Sequence, residues 1–215
     1  MTGLAGKHVL VTAGGTREPL DSVRFLGNRS SGRMGVALAA EARKRGAEVT
    51  LVASNLTVAP PEGVELVEAP TAADVEREVS ARADADVVLM AAAVADYRPA
   101  TRLSEKRPKD ENAWTVELEP TVDVLRSLGE RRHNGQVLVG FGADHGEQGL
   151  ERKRRMLTDK GVDLVVYNDV SRSDTAFDAT DNEVVLLSPD AERRIAKAPK
   201  EQIAREIIDA VEALT

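Results

Sequence analysis

Residues 13–33 gather groups suited to binding anions. Gly14, Gly15 and Thr16 follow an apolar run directly, and Arg24, Asn28, Arg29, Ser30, Ser31, Gly32 and Arg33 come next. A Gly-Gly-Thr turn lets backbone N–H groups approach an anion. Ser30-Ser31-Gly32 adds hydroxyls and free amides at the start of a helix, where the helix dipole also favours negative charge. A guanidinium and a carboxamide, Arg24 and Asn28, can fix an anionic or amide-bearing substrate through paired hydrogen bonds. Neither GxGxxG nor GxxxxGK(S/T) spacing occurs here, so the segment is neither the usual dinucleotide turn nor a P-loop.

Other polar residues also follow apolar runs: Ala92, Ala93 and Asp96 after VVLM, Phe141 and Asp144 in QVLVGFGAD, Asn168 and Asp169 after DLVVY. In open α/β sheets ligands bind beyond the carboxyl ends of the strands, which makes these residues a candidate set. Asp96, Asp144, Asp169 and Asp174 can hold Mg²⁺ through water, because magnesium needs few direct protein ligands, although no spacing identifies a metal site. Lys106 and the basic run Arg152, Lys153, Arg154, Arg155 and Lys160 can neutralise a polyphosphate or simply form a solvated face. His8 and His133 show no ligand spacing, whereas His145 follows a strand end and is the stronger candidate.

The elements that must carry these residues alternate between short apolar runs and helical-period segments. Strands are expected at 9–12, 48–53, 64–69, from 87 onward as VVLMAAAVAD, at 136–141 and at 163–168. Helices are expected at 31–45, ended by Gly46, at 72–83 behind Thr71 as N-cap, and at 122–131, 150–160 and 200–214. A C-terminal β-hairpin pairs 183–187 with 193–197. The fold class is therefore α/β, a Rossmann-like, mostly parallel sheet flanked by helices, in a single domain over residues 1–215. Residues 97–116 are too long and polar for an ordinary connection, and read either as a surface loop or as a protruding lid or dimer arm carrying Lys106.

Composition agrees. The 215 residues are 42% hydrophobic but only 3% aromatic, so the core is aliphatic, as a buried parallel sheet requires. The absence of cysteine excludes disulfides, thiolate metal sites and a cysteine nucleophile. A net charge of −7 gives no global field that would recruit nucleic acid or anionic lipid. No apolar run approaches the roughly 18 residues of a membrane span, and MTGLAGK lacks a signal peptide's apolar core, so a cytoplasmic location is expected.

TAGGTREPLDSVRFLGNRSSGRMG, AAAVADYRP, EK at 105–106, VGFGAD, DLVVYNDVS and AFDATDNEVVLL occur in an order that resembles phosphopantothenate-cysteine ligase, the synthetase of coenzyme A biosynthesis. The resemblance covers nearly all of residues 6–214. It implies joining of 4'-phosphopantothenate and L-cysteine through an acyl-nucleotide, with CTP as the usual bacterial co-substrate, Mg²⁺ as cofactor, and a homodimer. In bacteria the family is often fused to a flavin-dependent decarboxylase. The resemblance implies contact of Asn28, Ala92 and Ala93 with the activated intermediate, catalytic roles for Asn28, Arg24 and Lys106, and nucleotide contacts from Asp96, Lys106, Asp123, Phe141 and Lys160. The Gly14–Thr16 turn and Ser30, Ser31 and Gly32 complete the expected nucleotide site.

Some positions depart from the family pattern: Arg33 stands where lysine is commoner, EKRPKD replaces EKIKK, PTVDV replaces NPDI, and Met156 replaces the first of two helix lysines, leaving Lys153 or Arg155 to supply that charge. Two rival readings of the residues are an NAD(P)-dependent oxidoreductase and a non-catalytic nucleotide-binding protein.

Overall fold

The computed structural model describes residues 3–171 and 181–215. In chain order the elements are β1 (His8–Gly14), β2 (Arg17–Pro19), β3 (Phe25–Gly27), α1 (Arg33–Lys44), β4 (Glu48–Ser54), β5 (Glu65–Glu68), α2 (Ala72–Ser80), β6 (Val87–Met90), β7 (Tyr97–Pro99), β8 (Leu118–Pro120), α3 (Val124–Arg131), β9 (Val137–Asp144), α4 (Gly146–Asp159), β10 (Leu164–Asp169), β11 (Asp181–Leu187), β12 (Glu192–Pro199) and α5 (Lys200–Glu212).

Eight strands form one sheet in the order β12-β11-β10-β9-β6-β1-β4-β5. The six from β10 to β5 are parallel, and β11 and β12 add an antiparallel edge. The chain moves outward from β1 to β4 and β5, then crosses to β6 on the other side. The strand order therefore reverses between β1 and β6, and a crevice opens at their carboxyl ends.

Aliphatic runs explain the central strands: every residue of β6 is buried, as is all of β1 after His8. α1 and α5 cover one face, around Leu38, Leu51, Ile203 and Ile207, and α2, α3 and α4 cover the other, around Leu10, Val88, Leu138 and Val165. Each such fully buried side chain contributes roughly 1.5–3 kcal/mol of hydrophobic stabilisation. Thr71 caps α2 in a reciprocal capping box with Asp74, as its position in the sequence predicts.

The α/β class, the parallel sheet and the C-terminal hairpin agree with the sequence expectations. Boundaries differ where backbone geometry overrides composition. The strand at 87 stops at Met90, because Ala91–Asp96 leaves the ladder to close the crevice; only the Gly15–Ala93 bridge continues it. Helix α4 starts four residues earlier than its apolar pattern indicates, at Gly146.

The long insertion after β1 is not an open loop but the antiparallel ribbon β2–β3, and the 97–116 segment is closed at its base by the ribbon β7–β8. Strands of three residues are too short for a period-2 pattern to register in sequence. Buried Glu18 on β2 accepts the Ala72 amide at 2.8 Å, which ties the first ribbon to α2. Part of AFDATDN and the candidate Asp174 lie outside the described residues.

Gly14 closes β1 at φ 92°, and a Cβ there would lie 1.9 Å from the Ser54 carbonyl oxygen. Gly14→Ala is expected to lower stability by at least about 2 kcal/mol, from the left-handed backbone alone. Urea unfolding measures this, and an unshifted midpoint would contradict it.

Candidate active site

The crevice is organised by the peptide of Ala93. Its N–H donates to the Gly14 carbonyl at 2.8 Å, and its carbonyl accepts from Thr16 N at 3.2 Å and from Asn28 Nδ2 at 3.1 Å. On either side, Ala92 N donates to Thr12 Oγ1 at 3.0 Å and Ala95 N to Thr16 Oγ1 at 2.9 Å. Thr12 and Thr16 are fully buried, so segment 91–96 is fastened to the end of β1 by bonds shielded from water.

Two cavities meet over this segment. The larger, about 450 Å³, lies between Asn28, Ser30, Ser31 and Gly32 on one side and Phe141, Asp144 and Asn168 on the other. The smaller, about 190 Å³, is bounded by Asp123, Leu125, Met156 and Lys160. They share Ala92, Val94, Asp96 and Phe141. The larger volume is in the range of small-molecule sites.

Gly32 caps α1 in the left-handed conformation, and no side chain bonds the first-turn amides, leaving a positive helix end at the larger cavity. Lys153 also lines that cavity, its stem lying over Gly142. Lys153, and not Arg155, thus brings a helix cation to the larger cavity. Met156 instead packs its methyl over Gly140 in the floor of the smaller one.

In the smaller cavity Lys160 pairs with Asp123 at 3.0 Å, and Asp123 also caps α3 by accepting from Arg126 N at 3.1 Å. In the larger, Asp144 receives Arg152 Nη2 at 2.6 Å and Nε at 2.9 Å, and the His145 amide at 2.8 Å. The Arg152 guanidinium and then the His145 N–H hold its carboxyl down at about 2. Tyr167 donates to the Gly146 carbonyl at 2.9 Å, and burial pushes its phenol up to about 12. Among the described residues no three His, Asp or Glu side chains form a metal cluster.

Of the expected site residues, Asn28, Ser30, Ser31, Gly32, Ala92, Ala93, Asp96, Asp123, Phe141 and Lys160 line one or both cavities. Gly14, Gly15 and Thr16 line neither. The Gly15 amide is committed to Ser54 O at 2.9 Å and the Thr16 amide to Ala93 O, so these two donors are not offered to an anion and the turn supports the site from behind. Arg24 also lies outside both cavities, bound to Asp21 and the Arg107 carbonyl. Lys106 is exposed and lines neither cavity.

Sequence reasoning missed Asn182 and Lys200, which are buried at the wall of the larger cavity. Lys200 carried one signal: a lysine in the first turn of a helix opposes the dipole.

The chain matches the DNA/pantothenate metabolism flavoprotein C-terminal domain over residues 4–214. It belongs to that family. Within the family it is 40% identical over 216 residues to the coenzyme A biosynthesis bifunctional protein CoaBC of Bacillus subtilis, covering 99% of this chain and 52% of that protein. It is 43% identical over 220 residues to the CoaBC protein of Mycobacterium tuberculosis, covering 97% and 52%. The chain thus spans about half the length of the curated relatives it matches. The crystal structure of a CoaBC C-terminal domain superposes with a TM-score of 0.84 at 36% identity, covering all of this chain and 98% of that one. A Cab2 variant solved with phosphopantothenate-cysteine shares the fold, with a TM-score of 0.78 at 20% identity, covering 97% of this chain and 87% of that one.

The lowered Asp144 pKa means that its ion pair stabilises the fold fully above the ordinary carboxylate value of 3.8, and that this contribution is lost as pH falls towards 2. Carboxyl ¹³C NMR should give an Asp144 midpoint near 2, moving back towards 3.8 in Arg152→Gln. An unmoved midpoint would contradict the assigned cause.

Proposed function

We propose that this chain is a phosphopantothenate-cysteine ligase acting in coenzyme A biosynthesis. The observation that carries this reading is the pair of cavities meeting at Ala92, Asp96 and Phe141, with Asn28 in the wall of the larger. The family membership and the CoaBC names of the relatives support it. CTP enters with its nucleoside in the smaller cavity, against Phe141 and the Asp123–Lys160 pair, and 4'-phosphopantothenate occupies the larger. The pantothenate carboxylate attacks the α-phosphorus, pyrophosphate leaves, and an acyl-cytidylate forms. The cysteine amine then attacks the acyl carbon, loses a proton and displaces CMP.

Two anions must meet in line, so positioning and charge compensation are the chain's main tasks. Asn28, held by one Nδ2 hydrogen on the Ala93 carbonyl, steadies the acyl-phosphate with the second Nδ2 hydrogen. The uncapped start of α1 at Ser30–Gly32 receives a phosphate. Lys153 and Lys106 balance charge. Mg²⁺ would ride on the triphosphate and be held by Asp96, since magnesium bound to phosphates needs only one or two carboxylates; it would neutralise the phosphate charge.

Exposed Val23, Phe25 and Leu26 on the first ribbon, with Tyr97 and Leu118 on the second, make an apolar surface that we assign to a second copy of the chain. The flavin-dependent decarboxylase that takes the product is the expected functional partner, and the cytoplasm the expected location. Among the described residues no helix is long and apolar enough to cross a membrane.

Pyrophosphate release from CTP with 4'-phosphopantothenate tests the ligase reading: folded protein that releases none overturns it, and NAD(P)⁺ reduction in its place would favour an oxidoreductase. Asn28→Asp puts a negative charge beside the acyl-phosphate and should cut kcat by about a hundredfold, the scale of losing one oriented donor. Its urea midpoint should stay at the wild-type value, and wild-type turnover would refute the role. Light scattering should report a dimer that the Leu26→Glu, Leu118→Glu double variant splits; a wild-type monomer would contradict the shared surface.

A further inference from the structure

The segment bearing Lys106 is fastened to the β2–β3 ribbon by an assembly that no step above uses. At its centre is Asp21, a carboxylate whose side chain is fully buried. Its Oδ1 accepts the Val23 and Arg24 amides, both at 2.8 Å, which forms the turn of the ribbon. Its Oδ2 accepts Arg24 Nε at 2.8 Å, Arg24 Nη2, and the Arg107 amide at 3.3 Å. Arg24 Nη2 reaches on to the Arg107 carbonyl at 2.8 Å. The peptide groups flanking Arg107 are thus held at both the N–H and the C=O, and Lys106 is the adjacent residue. Leu103 N adds a bond to the Leu20 carbonyl at 3.0 Å.

The chain's single tryptophan completes the assembly. The guanidinium carbons of Arg24 and Arg107 lie 4.6 Å and 5.0 Å from the Trp114 ring centroid. Two cations on one ring would repel, but each has its own carboxylate: Asp21 for Arg24 and Asp110, at 3.2 Å, for Arg107.

We propose that Asp21 and Trp114 are positioning residues: with Arg24 they form a latch that sets the backbone of Lys106 relative to Asn28. Both ends of that relation lie on one ribbon. Asn28 follows directly on β3, and the latch sits at the turn of the same β2–β3 unit. With Arg107 pinned, only the side chain of Lys106 has to search for the nucleotide, so little ordering entropy remains to be lost when the site closes. The proposal rests on the ligase reading, in which Lys106 serves the nucleotide.

The test separates the two claims. Asp21→Asn keeps an oxygen for the turn amides but weakens the hold on Arg24, and Trp114→Leu keeps bulk but removes the aromatic face. In ligand-free protein, each should speed trypsin cleavage after Lys106 about tenfold by populating the open segment; unchanged cleavage overturns the latch. In turnover, each should lower kcat about tenfold with little change in KM, the effect of a misplaced charge. Neither should lower kcat further in a Lys106→Gln background, whereas a merely structural role would give equal fractional losses in both backgrounds and overturn the positioning claim. Trp114→Phe should restore most of the turnover that Trp114→Leu loses. If the wild-type protein releases no pyrophosphate, the positioning claim falls with the ligase reading, while the cleavage rates still decide whether the latch exists.

Discussion

The site depends on one close approach of backbone to backbone. Gly14 and Gly15 let the end of β1 run against Ser54 on one side and Ala93 on the other, and a Cβ at Gly15 would lie 2.7 Å from the Asn28 carbonyl oxygen. Because these contacts are main-chain bonds backed by two buried threonines, the peptide of Ala93 has little freedom. It lies between Ala92 and Val94, which both cavities share, and is the anchor for Asn28. The parallel sheet supplies the frame: β1, β6 and β9 end side by side, so residues far apart in sequence meet without a long loop to order them.

On this frame the chemistry is divided. Where the two cavities meet, the side chains are small or aromatic apart from Asp96, and farther out charge is kept in pairs: Asp123 with Lys160, and Asp144 with Arg152. A carboxylate paired with a cation repels an anionic ligand less strongly than a free one would. Positive charge stands at the open end of α1 and at Lys153, both on the wall of the larger cavity. The two ribbons stand outside the sheet. One carries Asn28 into the site and the other leads into the segment bearing Lys106, and the Asp21–Arg24–Trp114 contacts join them.

Much of this was legible in sequence because the parallel core writes itself in aliphatic runs, and because residues just beyond such runs are the ones a switch point exposes. Asp96 and Phe141 stand out that way, Asn28 by its carboxamide beside Arg24 and Lys160 by the basic run, with the family resemblance adding Asp123. The glycine turn misled. Its composition suits an anion cradle, but whether an amide is free depends on its partners in three dimensions, and Ser54 and Ala93 occupy them. Arg24 misled similarly: its spacing from Asn28 placed it in the site, yet a ribbon of three-residue strands turns it towards Asp21. Lys200 and Asn182 reach the cavity wall from the last strands and helix, a juxtaposition that no local pattern encodes.

The central claim is that the two cavities seat the two halves of one acyl-nucleotide across Ala92–Asp96. A crystal structure with an unreactive phosphodiester analogue of 4'-phosphopantothenoyl-cytidylate tests it most directly. The account predicts the cytosine nucleoside beside Phe141 and Lys160, the phosphodiester over the Ala93 peptide within reach of Asn28, and the pantothenoyl arm in the larger cavity. An analogue bound elsewhere, or lying wholly within one cavity, would contradict it.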